Sequence, residues 1–193
     1  MKAPTPPAAA LRALLADSPT RAIDAILVRC VFKEDFDKGT PHTYLYTSKA
    51  ANRLNSAGVR ALYLAEDRPT ALLEHTLPWK GLPREHEPTI LFSARLRLAQ
   101  VIDLADPATL RHLGLTQTDV EDEWKLSTTP TPLQRLGDAV AAQKGIAAVR
   151  YPSAAQRVAK GSGWNVVTFP TALATPDTVE ILGAGGNVIE SWP

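Results

Sequence analysis

The 193-residue chain has one cysteine and four histidines, and it lacks any long uncharged apolar run. A single thiol, Cys30, excludes an internal disulfide framework and a metal site built on several thiolates, and its apolar context predicts a buried structural residue. No window approaches the ~18 apolar residues that span a bilayer, so we expect no membrane segment. The histidines show no metal-site spacing, and we predict no bound metal and a surface or loop position for each of them. They are His42, His75, His86 and His112.

An excess of charge of one sign is also missing. The chain has 21 Lys and Arg against 20 Asp and Glu, interspersed, for a net charge of +1. Proteins that bind nucleic acid usually carry a basic stripe or tail, so we predict no direct nucleic-acid contact. The N-terminal apolar run is broken by Arg12 and Asp17 and does not resemble a signal peptide, so we expect a soluble cytoplasmic protein.

Proline and glycine divide the rest of the chain into short periodic segments, which is typical of a single domain of mixed α+β class. We predict a mobile N-terminal segment over residues 1–20, containing one short helical turn, followed by one domain over residues 21–193. The polar stretch over 33–58 is predicted to be a long loop. Predicted strands lie at 26–32, 61–65, 90–104, 146–151, 164–169, 178–182 and 188–191, and predicted helices at 70–77, 107–113 and 132–144.

Several polar residues lie at strand ends or interrupt apolar strands, where catalytic and binding groups are often found. Each also has a purely structural interpretation. Arg29 can pair with a carboxylate such as Asp24, Glu74 can be a solvated helix residue, and Tyr63 can belong to the core. Arg53 and Asn55 can serve only a turn. The candidates are Arg29, Arg53, Asn55, Tyr63, Glu74, Ser153 and Asn165, the last without an assigned role.

Six blocks of sequence occur in an order that makes the chain recognisable: VRCVF, RLNSAGVRALYLAEDRPTALLEH, QVIDLADP, LGLTQTDVEDEW, QKGIAAVRYPSAAQ and GWNVVTF. Together they resemble the RES-domain family, named for an arginine, a glutamate and a serine, over about residues 27–170. One departure stands out. Where family members commonly carry a Gly-Gly-Arg-Trp-Asn run, this chain has Ala51-Asn52-Arg53-Leu54-Asn55.

The resemblance implies a fold similar to that of ADP-ribosyltransferase toxins, with a mixed or antiparallel sheet. It also implies that NAD is a substrate rather than a resident cofactor, and that an Xre-type antitoxin is the partner. By the same resemblance, Glu74, Arg53 and Tyr63 are the expected catalytic residues, and Arg29, Asn55 and Ser153 the expected NAD-binding residues. The implied reaction passes ADP-ribose to a protein, to water or to phosphate.

These residue types suit that chemistry. Cleavage of the nicotinamide–ribose bond develops positive charge on the sugar, which a carboxylate such as Glu74 stabilises. The guanidinium forks of Arg29 and Arg53 match the oxygens of a pyrophosphate. The Tyr63 ring can lie against the cationic nicotinamide, and Asn55 and Ser153 can hydrogen-bond the ribose or the carboxamide.

Two other functions remain open on the sequence. The first is a catalytically inactive module of the same fold that binds a nucleotide or a partner, which the altered Gly-Arg-Trp block favours. The second is an RNA-processing toxin, which the neutral charge balance disfavours.

Overall fold

A computed structural model describes residues 8–40, 44–47, 50–122, 124–183 and 185–193. The predictions that fall on residues 1–7 and on His42 lie outside the described residues. The strands are β1 (Thr20–Phe32), β2 (Tyr46–Thr47), β3 (Ala61–Ala65), β4 (Thr89–Asp103), β5 (Ala148–Pro152), β6 (Trp164–Thr168), β7 (Thr178–Leu182) and β8 (Val188–Trp192). The α-helices are α1 (Ala8–Ala16), α2 (Lys33–Lys38), α3 (Arg68–Thr76), α4 (Pro107–His112), α5 (Gln117–Glu121), α6 (Pro132–Ala141) and α7 (Ala154–Val158). Short 3₁₀ turns occupy Leu77–Trp79, Pro83–His86 and Trp124–Leu126.

The described strands form one eight-stranded sheet with the order β1-β3-β6-β5-β4-β7-β8, and β2 is added beside β3. A further pairing of β1 with β4 closes the first five of these strands into a ring. Among these pairings only β4 with β5 is parallel. The mixed, mainly antiparallel α+β fold predicted from the sequence is therefore confirmed.

Strand β4 is the centre of this arrangement, and its alternating pattern was predicted correctly. Phe92, Ala94, Leu96 and Leu98 are buried, whereas Arg97 is exposed. Along one edge β4 pairs with β1 over nearly its whole length, and along the other it pairs with β7 and β5. Strand β4 therefore fixes the register of three neighbouring strands, β1, β5 and β7.

Two large apolar clusters lie on either side of the sheet. In one, Leu11 and Leu15 of α1 and Leu136 of α6 are fully buried against sheet residues such as Val149. Helix α1 therefore belongs to the same core as the rest of the domain. The second cluster is built from strand residues, including Leu96.

Helix α6 holds the loop that follows β2. A Cβ atom on Gly137 would lie 1.7 Å from the Leu54 carbonyl oxygen, so the close approach of helix and loop requires glycine. The Gln134 amide donates to the Asn52 carbonyl at 2.8 Å, and the Asp138 carboxylate accepts from the Ser56 amide at 2.9 Å. These contacts fix residues 52–56 beside β3.

Strands β1 and β3 are hydrogen-bonded only around Val28 and Ala65. Residues of both strands, including Arg29 and Tyr63, line the space between them. This gap, covered by α3 and the turns that follow it, contains the candidate site.

Three sequence predictions about the fold were wrong in part. The stretch 33–58 is not a continuous loop, because α2 forms there with ion pairs one turn apart, Lys33 with Asp37 and Lys38 with Glu34. Strand β1 starts at Thr20 rather than at residue 26, because pairing with β4 extends to Thr20 and includes Asp24 and Ala25, which have low strand propensity. Helices α5 and α7 were not predicted, since each has only five residues.

Candidate active site

A cavity of about 980 Å³ opens between β1, β3 and α3. This is the size of pocket that encloses a ligand larger than a single nucleotide base. Four of the six predicted site residues line it: Arg29, Arg53, Tyr63 and Glu74. Asn55 and Ser153 lie behind the cavity wall and contact residues that line it.

Glu74 is held in a fixed orientation. Helix α3 is capped by Asp67, whose carboxylate accepts from the Thr70 amide at 2.8 Å. One turn further on, Glu74 Oε1 accepts from Ser153 Oγ at 2.6 Å and from Asn165 Nδ2 at 2.7 Å. Within the described residues no hydrogen bond ends on Oε2, so one carboxylate oxygen is positioned by the protein and the other can interact with a ligand.

Ser153 positions both a helix and the carboxylate. Its hydroxyl accepts from the Gln156 amide at 3.0 Å as the N-cap of α7, and it donates to Glu74. The residue is 2% exposed, which leaves little surface for a ligand. The geometry gives Ser153 a role in orienting Glu74, and its expected contact with the ribose or the carboxamide stays a prediction.

Asn165 received no role from the sequence, yet it lines the cavity and donates to Glu74. As the second residue of β6 it is 5% exposed, in register with Ala65 of β3 and Tyr151 of β5. The sequence feature that could have indicated a site role for Asn165 is its position as a polar residue at the start of a mainly apolar strand.

Arg29 projects from β1 into the gap beside β3. Its Nη1 donates to the Tyr63 carbonyl at 3.3 Å, while its Nε is buried without a hydrogen-bond partner in the described structure. Burial lowers the pKa of the guanidinium. The alternative pairing with Asp24 is not observed, and no ion pair joins Arg29 to any described carboxylate. Arg29 is partly buried, and withdrawing a cation from water without a counter-ion is costly, which is typical of a site that receives an anion.

Tyr63 is fixed as a neutral phenol. Its hydroxyl accepts from the Leu54 amide at 2.9 Å and donates to Asn55 Oδ1 at 2.8 Å. Burial raises the pKa of this hydroxyl well above its usual range. The phenol proton is therefore used in the hydrogen bond to Asn55, and Tyr63 contributes its ring to the cavity wall.

Asn55 is fully buried, and its side chain organises the turn around it. Its Nδ2 donates to the Ser56 carbonyl at 3.0 Å and the Val59 carbonyl at 3.2 Å, and Oδ1 accepts from Tyr63 and, at 3.3 Å, from Thr47. With this bonding capacity used inside the protein, Asn55 supports Tyr63, and its expected contact with NAD stays a prediction. The turn interpretation from the sequence fits this geometry.

Replacing Asn55 with alanine should lower the free energy of unfolding by about 2–4 kcal/mol, because several buried polar groups lose their partner together. Urea denaturation followed by circular dichroism measures the change. The exposed Asn187 provides the control, and its change to alanine should cost less than about 0.5 kcal/mol. Equal losses in the two variants would contradict the role given to Asn55.

Arg53 is buried, at 8% exposure, and its guanidinium ties two segments together. Its Nη1 donates to the carbonyls of Val120 and Asp122, at 3.0 and 3.3 Å. These bonds hold the end of α5 against the cavity wall and place Trp124 and Lys125 at the cavity. Arg53 thus lines the cavity with part of its hydrogen-bonding capacity already used by the backbone.

A family model described as the RES domain matches residues 26–187. The chain belongs to the RES-domain family. A search of curated proteins finds no significant match. Among solved structures, this RES domain is similar to a chain of the crystal structure of the M. tuberculosis MbcT–MbcA toxin–antitoxin complex. The TM-score is 0.59 at 17% identity, and the match covers 94% of this chain and 90% of that chain. At this identity the likeness confirms the fold.

His75 is a correction to the sequence prediction, which placed it on the surface or in a loop. It lies on α3 of the RES domain, lines the cavity, and packs on Phe32 with ring centroids 4.1 Å apart. Its Nε2 is buried without a hydrogen-bond partner among the described residues. Burial, together with the charges of Arg29 and Arg84, lowers the pKa of His75 from 6.5 to about 4.

This depressed pKa makes stability dependent on pH. Between pH 6.5 and about 4 the unfolded chain binds a proton at His75 that the folded RES domain does not, so stability falls as the pH drops through this window. Because the side chain is partly exposed, we expect a loss of about 1 kcal/mol between pH 7 and pH 5. Urea denaturation at the two pH values should show a smaller loss in His75→Phe. An unchanged loss in that variant would contradict the assignment.

The charges around the cavity of the RES domain are unequal. Among the described residues, five cationic side chains line it against two carboxylates: Arg29, Lys38, Arg53, Arg84 and Lys125 against Asp35 and Glu74. An excess of positive charge in a cleft attracts anionic ligands. No group of three or more potential metal ligands occurs in the described structure, and the described helices include none long and apolar enough to cross a membrane.

Proposed function

We propose that this RES domain binds NAD in the cavity and cleaves the bond between nicotinamide and ribose. One observation carries the proposal. The cavity combines a partly buried cation that has no counter-ion among the described residues, Arg29, with a carboxylate oriented from behind, Glu74. NAD has a negative pyrophosphate, which can pair with Arg29, and a cationic pyridinium, which can lie near Glu74.

Binding depends first on Arg29. Its guanidinium lies in the gap between β1 and β3, and the cavity around it carries further positive charge. A pyrophosphate placed there would supply the missing counter-ion, so the cost of burying Arg29 is recovered on binding.

The chemistry depends on Glu74. As the bond breaks, its electron pair moves to the nicotinamide nitrogen and the ribose becomes oxocarbenium-like. A fixed carboxylate beside the ribose stabilises this positive charge and can accept a hydrogen bond from the 2′-hydroxyl. Ser153 and Asn165 hold Oε1, so the carboxylate does not have to reorient during the reaction. An acceptor then adds to the anomeric carbon and loses its proton, and that acceptor is a protein side chain, water or phosphate.

We also propose that the protein is the toxin of a toxin–antitoxin system. Two findings support this role: membership of the RES-domain family, and the likeness of fold to a chain of a toxin–antitoxin complex. An enzyme that consumes NAD must be restrained in the cell that makes it, and a cognate Xre-type antitoxin provides that restraint.

The experiment is to incubate purified protein with NAD and to follow nicotinamide by liquid chromatography. We expect nicotinamide to accumulate in proportion to protein concentration. The second product identifies the acceptor: free ADP-ribose indicates water, an ADP-ribose phosphate indicates phosphate, and label retained on protein indicates ADP-ribosylation. Intact NAD after long incubation with folded protein that still binds it would reject cleavage and support the inactive binding module.

A further inference from the structure

One end of the cavity is an aromatic compartment, formed by Phe32, His75, Trp79 and Arg84, all of which line the cavity. Phe32 lies at its centre. The His75 ring packs on it at 4.1 Å, the Trp79 ring meets it edge-on at 5.9 Å, and the Arg84 guanidinium lies 4.0 Å from its centroid. Trp79 is only partly buried, which leaves ring surface available to a ligand.

The aromatic compartment begins at His75, the residue after Glu74 on α3, and extends along two elements to Trp79. On β1, Phe32 follows Arg29 by three residues, a rise of about 10 Å. On the other wall, Trp79 follows Glu74 by five residues and lies in the 3₁₀ turn after α3. An elongated ligand that contacts Glu74 at one end therefore passes Arg29 and reaches Trp79 at the other.

The two ends differ in charge. In the aromatic compartment Arg84 is paired, with its Nη2 3.1 Å from Asp35 and its Nε 3.2 Å from Glu87. The charge of this cation is thus offset locally, and its flat guanidinium is fixed against Phe32 and, at 5.0 Å, Trp79. The compartment suits a flat, neutral ring. The other end, where Glu74 has one oxygen without a bond from the described residues, suits a cationic one.

We propose that the aromatic compartment binds the adenine ring of the dinucleotide, stacked on Trp79, so that NAD enters with its nicotinamide toward Glu74. This inference rests on the proposed function and adds an orientation to it. Adenine is planar and neutral at pH 7, and bases stack on aromatic side chains irrespective of sequence. The cationic pyridinium gains more beside Glu74 than beside the balanced charges of Arg84, Asp35 and Glu87.

The test compares Trp79→Ala and Trp79→Phe with the unchanged protein. Isothermal titration calorimetry gives the affinity of each for ADP-ribose, which keeps the adenine half, and for nicotinamide mononucleotide, which does not. We expect Trp79→Ala to bind ADP-ribose about tenfold more weakly and nicotinamide mononucleotide within twofold of the unchanged protein. Trp79→Phe keeps an aromatic face, and its affinity for ADP-ribose should lie between the two. Thermal melts show whether each variant is folded.

Four outcomes overturn the inference. Equal affinity of Trp79→Ala and the unchanged protein for ADP-ribose would show that Trp79 does not contact the adenine ring. A selective loss of nicotinamide mononucleotide affinity reverses the orientation. Equal loss for both ligands indicates a general effect on the cavity, and so does a folded Trp79→Phe as weak as Trp79→Ala. If the unchanged protein binds neither NAD nor ADP-ribose, the proposed function itself fails, and this result is distinguishable from the others.

Discussion

Replacing Glu74 with glutamine should slow nicotinamide release from NAD by at least about a hundredfold, while leaving the fold unchanged and weakening NAD binding by less than about tenfold. The substitution preserves size and the oxygen that accepts from Ser153 and Asn165, so the contacts behind the cavity wall survive. What is lost is the negative charge that stabilises the developing cation on the ribose. Because this charge interacts more strongly with the transition state than with bound NAD, the effect falls mainly on turnover and less on binding.

The comparison uses Glu180→Gln as a matched control, since Glu180 lies on β7, does not line the cavity and pairs with Arg95. Its rate should equal that of the unchanged protein. Ser153→Ala should fall between the two, because it removes one of the bonds that orient Glu74. Full activity in a folded Glu74→Gln variant would show that another group supplies the stabilisation.

The second large effect is expected at Arg29, where substitution by methionine should weaken NAD binding about 10- to 100-fold. The same change should lower the free energy of unfolding by no more than about 1 kcal/mol. The variant removes a partly buried cation that has no counter-ion among the described residues, and the single bond lost is the one to the Tyr63 carbonyl. Methionine retains the apolar volume of the arginine stem.

Calorimetric titration with NAD and urea denaturation measure the two quantities on the same preparations. Arg29→Lys is the informative companion, because lysine keeps the charge but lacks the fork that bridges two phosphate oxygens, so part of the affinity should return. Unaltered NAD affinity in Arg29→Met would show that Arg29 does not bind the pyrophosphate. A large loss of stability with little loss of affinity would favour a purely structural arginine.

The fold was predictable where a pattern is long and local. Strand β4 alternates over many residues, and α6 combines an amphipathic pattern with a Thr131 cap and Pro132 in its first turn. The start of β1 was not predictable, because its first residues are held by pairing with β4 rather than by their own propensity. Helix α2 was missed because its Lys–Asp and Lys–Glu pairs resemble an ordinary polar loop in the sequence.

The candidate site was predictable only in part. Arg29 and Glu74 were chosen because of the family resemblance, since composition and spacing alone favoured an ion pair and a surface group. The supporting role of Asn55 depends on a bond to Tyr63, and that of Ser153 on a bond to a helix 79 residues away, so no local pattern contained them. The aromatic compartment joins Phe32 to residues more than 40 positions later, and pairing of β1 with β4 brings them together.

The central claim is that Arg29 and Glu74 act on one dinucleotide in one cavity, and a crystal structure of Glu74→Gln with NAD tests it most directly. The slow variant should trap intact NAD, with the pyrophosphate within hydrogen-bond distance of the Arg29 guanidinium and the nicotinamide ribose beside residue 74. NAD bound outside the cavity, or inside it with the pyrophosphate away from Arg29, would contradict the account.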